Sequence, residues 1–358
     1  MPGRITRTPF LPDHSVSSAE LASAIAAADF SGCAATVVGY GAMGTQYVKA
    51  LQALGLHAIR VCSRSAGSLE ALRGLEGIET LAGGFESLES FAQPDEVGII
   101  ATPIATLIPA VARLVSLGFR RLLIEKPVAS SSGTIAQLAG ELEQQGVEAA
   151  CAYNRVAYPS FHEVKALAAQ DGGITSCTYT FTEMIKPDWP MRYSSDELAR
   201  WGIANSLHVI SMAHGLIGLP GTWTGYRSGA LPWHPTGAVF VGCGTSDQGL
   251  PFAYHADWGS TGRWSVEVHT RCSSYRLCPL ERVFRRTSAT SDWVEVPVRT
   301  FAPQVKAGMT EQVAAMLHPD LRAHLPLVSL RDAAALTSYG EDVFGYEAVA
   351  APLEAEGI

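Results

Sequence analysis

From residue 33 to about residue 153, short apolar runs alternate with amphipathic stretches. The runs AATVVG, HAIRVC, VGIIAT, RLLIEK and VEAACAY read as strands buried on both faces. Between them, AMGTQYVKALQAL, SAGSLEALRGL, IATLIPAVARLVSLG and SSGTIAQLAGELEQQ carry helical spacing. This alternation predicts a doubly wound parallel sheet with helices on both sides, over residues 33–153. Ahead of it, Ser17 and Glu20 have capping-box spacing before LASAIAAADF, so residues 1–32 read as an arm with one short helix.

After Tyr153 the pattern changes, and residues 154–358 read as a second domain. Helices are predicted at about 158–170 and 203–217. The runs CTYTFTEM, FAYHADW, RWSVEVHT, SYRLCPL, RVFRRTS and DWVEVPV alternate polar with apolar residues, as a mostly antiparallel sheet with one wet face does. Helical spacing returns at about 307–317 and 329–348, and these last helices can pack back on the first domain. The fold class is therefore α/β: a doubly wound N-terminal domain plus an α+β domain with a large open sheet.

Composition narrows the function. The 358 residues suit two domains. With 47% hydrophobic residues and mean hydropathy +0.13, the chain can fill sizeable cores. A net charge of −8, from 26 basic and 34 acidic residues, argues against nucleic acid as a partner. Seven cysteines without CxxC spacing form neither a disulfide framework nor a zinc site, and no His/Cys/Asp/Glu set has metal-ligand spacing. No apolar run is long enough to span a membrane, and MPGRITRTPFLPDHS lacks a secretory core. The expectation is a cytoplasmic protein.

The sharpest motif is TVVGYGAMGTQYVKAL. Gly39, Gly41 and Gly44 form GxGxxG between an apolar strand and a helix, with Tyr40, Ala42 and Met43 between them. The first glycine allows the tight turn, the second lets backbone approach a diphosphate, and the third permits close helix–strand packing. At the end of the second strand an NAD site usually carries a carboxylate for the ribose 2′-hydroxyl. Ser63, Arg64 and Ser65 stand there instead, a set suited to a 2′-phosphate, so NADP(H) is preferred over NAD(H). Thr102 and Pro103 stand at the end of VGIIAT. Glu125, Lys126 and Pro127 close RLLIEK, at the rim where ligands of doubly wound sheets sit. There burial and a cationic nicotinamide would lower the Lys126 pKa, with Glu125 orienting it.

GYGAMG, ATPIATL, EKP and AYNRVAYPS, in this order and spacing, resemble the Gfo/Idh/MocA oxidoreductase family, named for glucose–fructose oxidoreductase and inositol dehydrogenase. The resemblance runs from about residue 34 to the end. It implies a Rossmann domain, an open-sheet domain that often forms the oligomer interface, and an active site between them with Lys126 beside the nicotinamide. A homo-oligomer through the C-terminal sheet is expected on this ground. The family usually adds an Asp and a His four residues apart on the first long helix of the second domain. His208 fits the histidine, but Ala204 occupies the aspartate position, beside Asn205. The family also has a branch with an Asn-Ser-x-His version of this helix. Leu107 stands where many relatives carry a histidine.

Lys126 and His208 are accordingly the candidate catalytic residues, and His214 reads as structural. Tyr153, Arg155 and Asn205 are candidates for positioning substrate. Trp189 and Arg192, in the loop-like IKPDWPMRYSS, suit a sugar face or a phosphate. The resulting expectation is an NADP(H)-dependent oxidoreductase interconverting a hydroxyl and a ketone on a carbohydrate, polyol or nucleotide-linked sugar. Alternatives on the same fold are a reductase of a C=N bond or another small carbonyl, and a non-catalytic NADP-binding sensor.

Overall fold

A computed structural model of the chain describes residues 15–89, 92–186 and 188–347; the expected arm over 1–14 lies outside them. Helix α1 (Ser18–Ala27) is capped as its sequence predicts, with Ser17 and Glu20 exchanging backbone-to-side-chain bonds. It packs along the helix Pro159–Gln170, where the Ser18 hydroxyl donates to Glu163 at 2.7 Å.

The first sheet contains β1 (Ala34–Val38), β2 (Ala58–Ser63), β3 (Ile78–Ala82), β4 (Val97–Ile100), β5 (Arg121–Ile124) and β6 (Glu148–Cys151). These run parallel in the order β3-β2-β1-β4-β5-β6, the doubly wound arrangement, which reverses direction between β1 and β4. Helices α2 (Ala42–Ala53), α3 (Ile104–Ser116) and α4 (Ser132–Gln144) cover its faces. Two local readings need correction. SAGSLEALRGL forms only a 3₁₀ segment, Gly67–Leu72, because Gly74 and Gly77 at positive φ end it before an α-helix can nucleate. The strand β3 was not foreseen, since IETLA is a half-exposed edge with no clean alternation.

Helix α5 (Pro159–Gln170) leads into the second sheet, which holds β7 (Ser176–Thr180) and β8 through β14: Pro220–Ser228, Val239–Ser246, Pro251–Asp257, Ser265–His269, Ser274–Leu277, Val283–Arg286 and Val294–Val296. Its order is β14-β13-β12-β11-β7-β10-β9-β8, antiparallel except between β7 and β10. β8 and β9 escaped the sequence pattern because glycines interrupt it. A Cβ on Gly225 or Gly242 would lie 2.3–2.4 Å from the Tyr254 ring or hydroxyl, so the glycines make room for that side chain.

Helices α6 (Ser195–Ala199) and α7 (Leu207–Ile217) stand between the sheets, and all eleven residues of α7 are buried. The chain then returns to the first domain. Helix α8 (Met309–Leu317) packs on α2, β15 (Val328–Ser329) adds antiparallel to β6, and α9 (Leu330–Phe344) packs on α4. One hydrophobic core runs from α3 and α4 through α7 and α9 to the second sheet, and another joins α1, α2 and α8. Continuous packing thus sets the spacing of the two sheets. Among the described residues, no helix is long and apolar enough to cross a membrane.

Phe344 is fully buried, with its ring 5.1 Å from Phe240 and 5.5 Å from Phe181. Phe344→Ala is expected to cost about 3–5 kcal/mol, read as a lower urea midpoint.

Candidate functional site between the sheets

The site begins at the reversal between β1 and β4. Gly39 turns the chain at φ +97°, and a Cβ there would lie 2.4 Å from the Ala101 carbonyl oxygen. A Cβ on Gly44 would lie 1.9 Å from the Gly39 carbonyl, so the third glycine seats α2 against the turn. Gly41 differs: nothing lies within 4 Å of a Cβ placed on it. It is the N-cap of α2 and supplies no side-chain cap, which leaves the helix N-terminus facing that open space. A diphosphate fits such a cradle. Tyr40, Ala42 and Met43 complete the turn. The Thr102 hydroxyl, buried without a partner, borders the adjoining cleft.

That cleft, about 300 Å³, is lined by Met43, Thr102, Pro103, Glu125, Lys126, Asn205, His208 and Lys306, among others. Lys126 stands two residues past the end of β5, and its Nζ donates to the Ala204 carbonyl at 2.6 Å. Ala204 lies in a single π-helical turn, Gly202–Ser206, ahead of α7. Such wide turns re-aim backbone groups and recur at functional sites. Ala204, at the position of the expected carboxylate, therefore contributes its backbone oxygen.

Burial pulls the Lys126 pKa down to about 8; Glu125 opposes this, while Arg155 and Lys306 add to it. Glu125 is fully buried and raised by desolvation. It accepts from the Tyr47 hydroxyl at 2.6 Å and from the Lys126 amide at 3.2 Å. His208 is held well below the usual histidine range, first by burial and then by Lys126, Arg155 and Lys306. Nη1 of Arg155 lies 3.1 Å from its Nδ1 and 3.2 Å from its Nε2. A guanidinium can only donate, so the facing ring nitrogen carries a lone pair and the imidazole is neutral.

A second cavity of about 290 Å³ is lined by Arg155, Thr182, Glu183, Arg263, Trp264 and Glu281, among others. Two side-chain pairs, Arg155 with His208 and Asn205 with Glu183, connect it to the cleft. The structure thus gathers Lys126, His208, Arg155 and Asn205. It does not bring in Tyr153, which is 2% exposed in the core. Trp189 packs on Trp201, and Arg192 is exposed and paired with Asp188; the loop's contribution to the cleft is Tyr193. Leu107 is buried in α3. His214 is structural, bonding the Gly218 carbonyl through Nδ1, with the Tyr179 hydroxyl at Nε2.

Three participants had no local signal. Lys306 arrives because α8 packs on α2; Glu183 and Trp264 arrive through the second sheet. Glu183, whose carboxyl is pushed by burial to about 7, accepts from the Asn205 amide, next to the vacated aspartate position in the chain. At the end of β2, Arg64 is exposed, and the Ser63 and Ser68 hydroxyls are 2.8 Å apart. A Cβ on Gly84 would lie 3.4 Å from the Arg64 Cγ and 2.7 Å from a Glu86 carboxylate oxygen. Among the described residues no cluster of three or more His, Cys, Asp or Glu could hold a metal.

No family model matches the sequence, and no curated protein matches it. Solved structures do. Levoglucosan dehydrogenase in complex with NADH superposes with a TM-score of 0.68 at 15% identity, covering 87% of this chain and 96% of that one. UDP-N-acetylglucosamine 3-dehydrogenase from Acidithiobacillus ferrooxidans gives 0.66 at 14% over 87% and 96%. An oxidoreductase from Agrobacterium radiobacter, in complex with NAD+, L-tartaric acid and magnesium, gives 0.67 at 15% over 87% and 95%. The chain has the fold of these oxidoreductases. The expected pairing of a Rossmann domain with a large open sheet is borne out.

The glycines separate structural from binding roles. Gly44→Ala is expected to destabilise by about 1–3 kcal/mol in urea unfolding, through collision with backbone, and Gly41→Ala by less than about 1 kcal/mol.

Proposed function

We propose that the protein is a nicotinamide-dinucleotide-dependent dehydrogenase acting on a hydroxyl of a carbohydrate or polyol. The observation that carries this reading is the meeting of Lys126 and a neutral His208 in a cleft that opens on the glycine turn. The fold supports it, since similar structures include dehydrogenases named for levoglucosan and UDP-N-acetylglucosamine.

The turn 39–44 and the N-terminus of α2 would hold the diphosphate, with Thr102 and Pro103 beside the ring. A nicotinamide bound there supplies hydride acceptance or donation at one ring carbon. The chain's own residues handle the proton. In oxidation the neutral Lys126 amine accepts the hydroxyl proton at Nζ as hydride leaves the same carbon. In reduction the ammonium returns a proton to the carbonyl oxygen. His208, neutral, can hold the reacting oxygen without competing for its proton. Glu125 and Tyr47 keep the end of β5 in place.

NADP(H) is the preferred cofactor in this reading, because Arg64 stands exposed at the ribose end and no carboxylate lies within 4 Å of its guanidinium among the described residues. Glu86 favours NAD(H) as the second reading, since its carboxylate flanks Gly84 opposite Arg64, and similar structures hold NAD+ or NADH. Arg64→Ala decides between them. About a tenfold or greater loss of NADP+ affinity, with NAD+ little changed, is expected; equal affinities before and after the substitution would support NAD(H).

The pKa of Lys126, about 8, sets the pH dependence. Below pH 8 the group is an ammonium, so kcat/KM for oxidation rises through about pH 8 and levels above it. The reductive direction falls over the same interval. Lys126→Met is expected to lower kcat about 10²–10⁴-fold and to remove that inflection in nicotinamide absorbance assays. A variant with unchanged kcat and pH profile would remove Lys126 from the chemistry.

A further inference from the structure

The second cavity has a polar inventory that the transfer of a hydride and a proton does not use. Arg155 stands at its boundary with the cleft. Nη1 is committed to the Asn154 side-chain oxygen Oδ1, to which it donates at 2.7 Å, and to His208. Nε is out of contact with water and has no hydrogen-bond partner. No carboxylate oxygen lies within 4 Å of the guanidinium among the described residues. Its plane is flanked by two aromatic rings, with Cζ 5.6 Å from the Tyr158 centroid and 5.7 Å from that of Trp264. Those rings stabilise the cation but satisfy none of its donors. Trp264 Nε1 is likewise buried and unpartnered; both residues line the cavity, and Arg155 Nη2, which has no hydrogen-bond partner among the described residues, is the donor left for a ligand there.

A partly buried guanidinium with an unsatisfied edge is costly, and a carboxylate matches its fork better than any neutral group. The two acids of the cavity are otherwise engaged. Glu183 accepts from Asn205, and Glu281 accepts from the Tyr158 hydroxyl at 3.3 Å. Lys126 and Lys306 across the wall add positive potential, and the Lys306 ammonium donates to the Met43 sulfur at 3.5 Å. Arg263 lies in the same cavity.

We propose that Arg155, assisted by Trp264, anchors a carboxylate of the substrate, which makes the substrate a sugar acid: a polyol or sugar ring with its oxidisable hydroxyl at Lys126 and its carboxylate in the second cavity. This rests on the dehydrogenase reading above. The carboxylate takes no part in the transfer; it fixes which hydroxyl reaches Lys126, through binding strength realised away from the reacting carbon.

The test compares D-glucuronate, D-galacturonate and D-gluconate with D-glucose, D-galactose and D-glucitol, using NAD+ and NADP+, for the wild type and Arg155→Met. Wild-type kcat/KM is expected to favour at least one acid over its neutral counterpart by about tenfold to a hundredfold, mainly through KM. Arg155→Met should bring that ratio near one. A wild type that prefers the neutral member of every pair, or a variant that keeps the ratio, overturns the inference while leaving the dehydrogenase reading intact. Thermal unfolding with each compound, with and without dinucleotide, covers the case of no turnover. Stabilisation by an acid and not by its neutral counterpart, lost in Arg155→Met, sustains the carboxylate site even if the dehydrogenase reading fails. Absence of any acid-specific stabilisation in the wild type overturns it.

Discussion

The contact between the Lys126 ammonium and the Ala204 carbonyl ties the functional geometry together. It spans from the segment just past a parallel strand of one sheet to the π-helical turn that enters the buried helix before the other. An ammonium taken out of water, with two further cations nearby, loses proton affinity even though the Ala204 carbonyl and the Glu125 carboxyl favour its charged form. Its shift toward neutrality follows from where the two sheets are held, and that spacing follows from the apolar core running through α7 and α9. Packing, electrostatics and the proposed proton transfer are successive consequences of one arrangement.

The first domain was legible because its signals are local. Each buried strand is a continuous apolar run, and GxGxxG sits where a strand must turn into a helix. The structure gives the three glycines distinct reasons, two set by backbone collisions and one by open space. The second domain was legible only where its strands alternate. β8 and β9 were hidden because glycines that accommodate Tyr254 remove the side chains that would mark a strand. The segment after β2 read as a helix from its apolar spacing, but a 3₁₀ segment formed where glycines allowed nothing longer.

The site was legible in part, for a similar reason. Lys126 and His208 stand within motifs, so the residues announce themselves. Lys306, Glu183 and Trp264 come from segments far away in the chain, and only tertiary packing places them. Ala204 shows the limit most clearly. As a side chain it reads as the loss of a carboxylate, yet its backbone oxygen holds the lysine. Tyr153, a candidate at the exit of β6, is buried in the core instead of lining either cavity.

The claim beneath these relations is that the turn at Gly39–Gly44 and the N-terminus of α2 take up a dinucleotide diphosphate. Isothermal titration of NADP+, NADPH, NAD+ and NADH into the full-length protein tests it most directly. Saturable one-to-one binding of at least one form, with a dissociation constant in the micromolar range or about −8 kcal/mol, is the predicted result. Absence of binding by all four forms at millimolar concentration would contradict it.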